Sequence, residues 1–266
     1  MRIEWNGSPA EVRELGSGPA VILVHGYPLD GAMWSGVARA LASRFHVLKP
    51  DLPGRGHTEA PAPGSIAGYA DFVEALISEL PAPVALAGFS FGGYIALEVM
   101  KRRPEKVRAL ALVDTRATAD DAAGKSKRDE TIAAVRESGV RPVVESMPAK
   151  LLSPESLGRP DLLERVQRMI SRQKPETVEA DLTAMRDRPD STAFLPEISV
   201  PTLVVVGGQD VLTPPADSEK MASAIPGARL VALAGAGHLT PMERPKAVAE
   251  ALGDFFSTAL SGSDRG

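Results

Sequence analysis

The sequence predicts an α/β fold: a mostly parallel eight-stranded sheet flanked by helices and interrupted by an all-helical insertion. Three observations predict it. Short, wholly apolar runs such as residues 20–24 read as strands covered on both faces. Between these runs lie stretches with apolar residues at helical spacing, and strand–helix alternation implies a parallel sheet with helices on both sides. From Thr115 to about Pro196 the strand-like runs stop, and amphipathic segments bounded by prolines replace them.

Residues 3–5 and 10–15 open the sheet, joined by an Asn6-Gly7 turn signal. Residues 20–24, 45–48, 84–87 and 107–113 continue it, with helices expected over 33–43, 66–80 and 92–103. Four amphipathic helices are expected over 129–138, 140–152, 161–173 and 175–188, with Pro154, Pro160, Pro175 and Pro189 as boundaries. The strand pattern resumes over 200–207 and again over 229–233, and 245–260 closes the chain as a helix. Residues 1–115 and 196–266 are therefore expected to form a core, with 116–195 as a helical cap. The tail, 261–266, is expected to fray.

The chain has 266 residues, 44% of them hydrophobic, which suits one large domain or a core with an insertion. Its net charge of -4 favours neither nucleic acid nor an anionic membrane as partner. There are no cysteines, so disulfides, thiol catalysis and cysteine-ligated metals are excluded. No apolar leader opens the sequence, and no run reaches the roughly 18 apolar residues of a membrane span. A soluble, cytoplasmic protein is the expectation. No histidine–carboxylate cluster has metal-ligand spacing, so no metal is expected. The sequence leaves a homo-oligomer open.

The chemistry concentrates in Gly88-Phe-Ser90-Phe-Gly92, which follows an apolar strand and opens a helix. A serine at such a turn takes a strained, positive-φ geometry that pushes its hydroxyl out of the fold. Larger side chains at 88 and 92 would collide with the turn. The helix then aims free N–H groups and its positive dipole end at the reacting site.

Ser90 needs a base and an orienting acid. His238 lies in a glycine-rich loop beyond the last strand, and Asp210 in a loop beyond the strand before it. Loops at the carboxyl ends of parallel strands share one edge, so the three can converge. In this arrangement His238 takes the Ser90 proton as the oxygen attacks a carbonyl, and Asp210 holds the imidazole. The backbone N–H groups of Phe91 and Tyr27 are the expected oxyanion donors. Asp114, after the sixth strand, is the alternative acid; otherwise it caps the first turn of the insertion. His25 is expected to organise the Tyr27 loop, His46 to be inert, and His57 to shape the 51–58 loop, where Asp51 and Arg55 satisfy backbone groups.

His25-Gly-Tyr-Pro28, Asp51-Leu-Pro-Gly-Arg-Gly-His-Thr58, Gly88-Phe-Ser-Phe-Gly92, Gly207-Gly-Gln-Asp210 and Gly237-His238 with Glu243 and Pro245 resemble the α/β-hydrolase fold over nearly the whole chain. Within it the chain is most similar to the cofactor-free branch of small esterases, 3-oxoadipate enol-lactonases and perhydrolases. That resemblance implies no cofactor, a cap over the catalytic edge, and a small-molecule ester or lactone as substrate for a carboxylesterase or lactonase. A perhydrolase, a C–C bond hydrolase and a low-turnover ligand sensor are the alternatives. Epoxide hydrolases and haloalkane dehalogenases carry an aspartate where this chain has Ser90. Trp34, Met147, Leu151, Met185 and Leu239 are the candidate pocket residues. Arg116, Lys150 and Arg186 could supply charge for a carboxylated substrate.

Overall fold

The structure, a computed structural model, describes residues 1–81 and 83–261. Of the expected frayed tail, Ser261 is the last residue of a helix, because the closing helix runs one residue further than its apolar pattern, and 262–266 lie outside the described residues. Strand β1 (Arg2–Trp5) turns into β2 (Ser8–Leu15) through Asn6 and Gly7, whose φ values of 49° and 72° form the two-residue turn that suits a twisted hairpin. The remaining strands are β3 (Ala20–Val24), β4 (His46–Pro50), β5 (Val84–Phe89), β6 (Val107–Val113), β7 (Thr202–Gly207) and β8 (Arg229–Leu233). They form one eight-stranded sheet in the order β1-β2-β4-β3-β5-β6-β7-β8. Only the β1–β2 and β2–β4 pairs are antiparallel.

Every residue of β3, β5 and β7 is buried, because helices cover both faces of the sheet. The covering helices are α1 (Ser35–Leu41), α2 (Ile66–Ser78) and α3 (Phe91–Arg102), with others nearer the chain end. Strand β8 is the far edge, and its residues are half-exposed or exposed.

Between β6 and β7 the chain is helical, as expected. The helices are α4 (Ala122–Ser138), α5 (Arg141–Ser146), α6 (Pro148–Leu151), α7 (Pro154–Leu157), α8 (Pro160–Ser171) and α9 (Pro175–Arg186). Two differences have physical reasons. The helix expected over 129–138 starts a full two turns earlier, where the Asp121 side chain caps it by accepting from the Gly124 N–H. The helix expected over 140–152 divides at Pro148, which cannot donate to the preceding turn.

After β7 come α10 (Pro215–Ala224), α11 (Thr240–Glu243) and α12 (Pro245–Ser261). Periodicity leaves 215–224 without an element, because only Ser218 and Met221 of this helix are buried. Its signal is the start, with Pro215 at the first position and Asp217 in the first turn. Among the described residues, no helix is long and apolar enough to cross a membrane.

Candidate active site

The parallel register brings the carboxyl ends of the central strands together. Val24 pairs with Gly88, Phe89 with Val113, Val113 with Val205 and Gly207 with Leu233. The loops that follow carry Tyr27, Ser90, Asp114, Asp210 and His238, so all five reach the same edge. Ser90 takes φ 51° and ψ -112° between β5 and α3. The turn is tight: a Cβ at Gly88 would lie 2.3 Å from the Gly92 carbonyl oxygen, and one at Gly92 would lie 2.5 Å from that of Val24. Glycine is required at both for steric reasons.

Ser90, His238 and Asp210 form a continuous chain of hydrogen bonds. The Ser90 Oγ lies 2.9 Å from His238 Nε2, and His238 Nδ1 lies 2.8 Å from Asp210 Oδ2. Asp210 and His238 are buried. Asp210 is held on every side: Oδ1 accepts from the N–H groups of Leu212 (2.8 Å) and Thr213 (3.0 Å), and Oδ2 accepts from the Thr213 hydroxyl (2.6 Å). Burial pushes its carboxyl up, but His238 and the Thr213 donors outweigh that and hold it below the usual carboxylate range. A donor-rich cradle of this kind keeps the carboxylate ionised and its orientation fixed.

Asp114 has the opposite electrostatics. Fully buried at φ 44°, it accepts from the Gly207 N–H (2.8 Å) and the Thr240 hydroxyl, and among the described residues it caps no helix turn. Burial, then the nearby Asp210 charge, hold its carboxyl well above the usual range. Between the unfolded value near ~3.9 and that raised value, the folded chain binds a proton that the unfolded chain does not. This contribution to stability is complete below the unfolded value and is lost as pH rises through the folded one. Asp114→Asn is therefore expected to flatten the decline in stability above about pH 4, read by urea unfolding from pH 4 to 8. An unchanged slope would contradict the raised carboxyl.

Phe91 opens α3, so its N–H is a first-turn donor without an intrahelical acceptor. Its ring points into the core, edge-on to Tyr69 at 5.0 Å. Tyr27 sits beside His25, which organises the loop as expected. The Leu52 N–H donates to His25 Nε2 (3.0 Å), so the ring proton is on Nδ1 and donates to the Gly26 carbonyl (3.0 Å). Burial, then the Arg55 charge, hold this imidazole well below its usual range, so it stays neutral. His46 Nε2 meets Glu14 at 2.8 Å at the surface, away from the site.

A cavity of about 450 Å³ opens over Ser90 and His238. Tyr27, Tyr94 and Thr213 line it from the sheet side of the chain, outside the insertion, and Val143, Met147, Leu182 and Met185 from the insertion supply an apolar wall. Arg116, Lys127, Arg128 and Lys150 line it together with Asp120 and Asp121. Both acids are already committed, since Asp121 caps α4 and Asp120 pairs with Arg128 (3.0 Å) and Arg188 (2.8 Å).

The family model described as the alpha/beta hydrolase family matches residues 21–251. The chain belongs to this family. A curated relative, pimeloyl-[acyl-carrier protein] methyl ester esterase of Neisseria meningitidis serogroup B, is 30% identical over 248 residues, 90% of this chain and 93% of that one. A thermophilic esterase from Thermogutta terrifontis, solved with malate bound, superposes with a TM-score of 0.93 at 33% identity, covering 97% and 99% of the two chains. The enol-lactonase from Burkholderia xenovorans LB400 superposes with a TM-score of 0.89 at 26% identity, covering 97% and 100%.

In this alpha/beta hydrolase, the structure moves several expected pocket residues elsewhere. Met147 and Met185 line the cavity; Trp34, Leu151 and Leu239 do not. Trp34 is fully buried, edge-on to Phe89 at 6.3 Å. Leu151 and Leu239 are buried at a seam, where the Leu239 N–H donates to the Leu151 carbonyl (2.8 Å). Arg116 and Lys150 reach the cavity, but Arg186 faces outward, paired with Asp129 and Asp187. Arg55 also departs from expectation. It reaches the Leu29 carbonyl only at 3.5 Å, and its main partner is Asp181 on α9. Sequence reasoning missed Tyr94, Thr213, Arg128 and Leu182. Thr213 had a signal, lying three residues after an acid in a loop, where hydroxyls commonly bond back.

Proposed function

We propose that this chain is a serine hydrolase that cleaves a small carboxylic ester or lactone through an acyl-enzyme. The observation that carries the reading is the Ser90–His238–Asp210 chain, at 2.9 and 2.8 Å, at the base of a cavity. Ser90 Oγ attacks the carbonyl carbon while His238 Nε2 takes its proton. The oxyanion is received by the N–H groups of Phe91 and Tyr27. Imidazolium His238, stabilised by Asp210, then protonates the departing alkoxide, and the acyl group stays on Ser90. Water, deprotonated by the same imidazole, attacks the acyl carbon, and collapse of the second tetrahedral species frees the acid and Ser90.

Residues 116–195 act as a cap that closes the cavity above the core 1–115 and 196–266. A volume of about 450 Å³ suits a small molecule rather than a polymer. The esterase and enol-lactonase names of the similar proteins support ester or lactone chemistry.

The test is a p-nitrophenyl ester series from acetate to octanoate. Turnover is expected with the short acyl groups and a fall once the chain outgrows the wall formed by Met147, Leu182 and Met185. Folded protein that turns over neither these esters nor simple lactones would remove the reading.

A further inference from the structure

Glu243 ends α11 and is buried, yet it touches neither the cavity nor the three residues of the hydrogen-bond chain. Its two oxygens are spent on two different parts of the molecule. Oε1 accepts from the N–H of Gly237 at 3.0 Å, and Oε2 accepts from the N–H of Ser153 at 2.9 Å. Gly237 immediately precedes His238. Ser153 is the cap residue of α7 in the insertion. On the other side of His238, the Leu239 N–H donates to the Leu151 carbonyl at 2.8 Å. The histidine is thus flanked on both sides by residues tied to one short stretch, 151–153. The approach is close enough that a Cβ at Gly237 would lie 2.5 Å from the Ser153 nitrogen. A further tie lies nearby, where Arg244 Nη2 meets Glu155 at 2.9 Å and the Gly235 carbonyl at 3.3 Å.

We propose that Glu243 is a positioning residue that clasps the His238 loop to the insertion, so that the imidazole and the cavity wall are set as one unit. The inference rests on His238 being the base of the reaction proposed above. The stretch it grips is continuous with the wall: Leu151 ends α6, and Lys150 and Met147 just before it line the cavity. A displaced wall therefore carries strain to the residues on either side of His238. A shift of about 1 Å at a reacting group can cost on the order of 10²-fold in rate.

Glu243→Gln is the informative variant. It fills the same space, but it keeps one acceptor and turns an NH₂ towards the other N–H, so one tie is lost. Ser153→Pro cuts the clasp from the other side and also removes the hydroxyl that caps α7, so it is read against Ser153→Ala, which loses the cap but keeps the N–H. Ser153 has φ -63° and follows an extended Leu152, both of which proline accepts. The ring replaces the N–H and displaces the oxygen that met it. Both variants are compared with parent and Ser90→Ala, well below each melting temperature and per folded molecule. We expect kcat to fall about 10- to 100-fold, with KM moving less. The low-field ¹H NMR signal of the His238 Nδ1 proton should broaden or move. A space-filling role would leave kcat, the split and the signal as in the parent; that outcome in Glu243→Gln overturns the clasp, and Ser153→Pro decides if the first variant does not fold. A parent-like rate in Ser90→Ala instead removes the reading of the site, and the NMR signal then still reports on the clasp.

Discussion

Ser90→Ala is expected to lower kcat by at least about 10⁴-fold while leaving the fold intact. Among the described residues the Ser90 hydroxyl bonds only to His238 Nε2, so its removal takes one hydrogen bond from the folded state and the nucleophile from the reaction. Alanine at φ 51° bears the same backbone strain as serine, because both carry a Cβ. Asp210→Asn should cost about 10³- to 10⁴-fold by a different route. Asp210 accepts at both oxygens, from two N–H groups at Oδ1 and from His238 and the Thr213 hydroxyl at Oδ2. An amide must turn its NH₂ towards one pair. Facing Oδ1's partners it opposes two donors. Facing His238 it drives the ring proton to Nε2, where the imidazole can no longer accept from Ser90. Asp114→Asn should keep near-parent turnover, since Asp114 faces Gly207 and Thr240 rather than the imidazole. Steady-state rates on one short ester check all three. Full activity in Ser90→Ala, or a loss in Asp114→Asn that Asp210→Asn does not show, would sink the assignment.

The reason so much of the site is legible in sequence is that its geometry is local. The turn at Ser90 demands glycines at fixed offsets, and the loops of Asp210 and His238 each follow a strand whose apolar run marks where the edge must be. Parallel strands then do the long-range work, because their carboxyl ends share an edge whatever the intervening chain does. What is not legible depends on how helices rotate against one another. Periodicity identifies the buried face of α9 but not that Asp181 on that face meets Arg55 and Tyr69, 126 and 112 residues away. It likewise cannot tell that Leu182 and Met185 look into the cavity while Arg186 looks out. Trp34, a candidate for the wall, instead serves the core edge-on to Phe89. The seam at Leu151 and Leu239 illustrates the same limit, since a backbone bond between the end of one helix and a distant loop leaves no mark on composition.

Asp181→Ala is expected to destabilise the fold by about 3–5 kcal/mol, because it leaves Arg55 charged, buried and without its partner. The Arg55 Nη2 lies 2.7 Å from both Asp181 oxygens, the Tyr69 hydroxyl donates to the same carboxylate, and both charged side chains are 1% exposed. Among the described residues no other carboxylate hydrogen-bonds the guanidinium: the Leu29 carbonyl is 3.5 Å away, Nε has no partner, and Asp51 acts on the charge only from a distance. For a chain of this length the melting temperature should fall by on the order of 10 °C. Yet a buried ion pair of this kind is expected to add little net stability over apolar packing. Burial pushes the Asp181 carboxyl up against the pull of Arg55 and Tyr69, and burial prevails, so ionising it inside the fold is costly. The double variant Arg55→Met with Asp181→Leu should therefore regain much of the loss, short of the cost of the buried Tyr69 hydroxyl left without its acceptor. The location gives the pair its functional weight. Leu182 and Met185 follow Asp181 on α9 and line the cavity, and one turn earlier the Thr177 hydroxyl donates to the Gly54 carbonyl at 2.8 Å. The ion pair thus fixes where that wall stands relative to the sheet edge. In the double variant, that stability should return while KM for the longer esters stays altered, because hydrophobic packing restores burial without the directional bonds from Arg55 Nη2 to the two Asp181 oxygens. Chemical unfolding of the three proteins, paired with KM across the ester series, separates the two effects. A single variant within about 1 kcal/mol of the parent would show that Arg55 finds solvent or another partner, and that α9 is held by its apolar face alone.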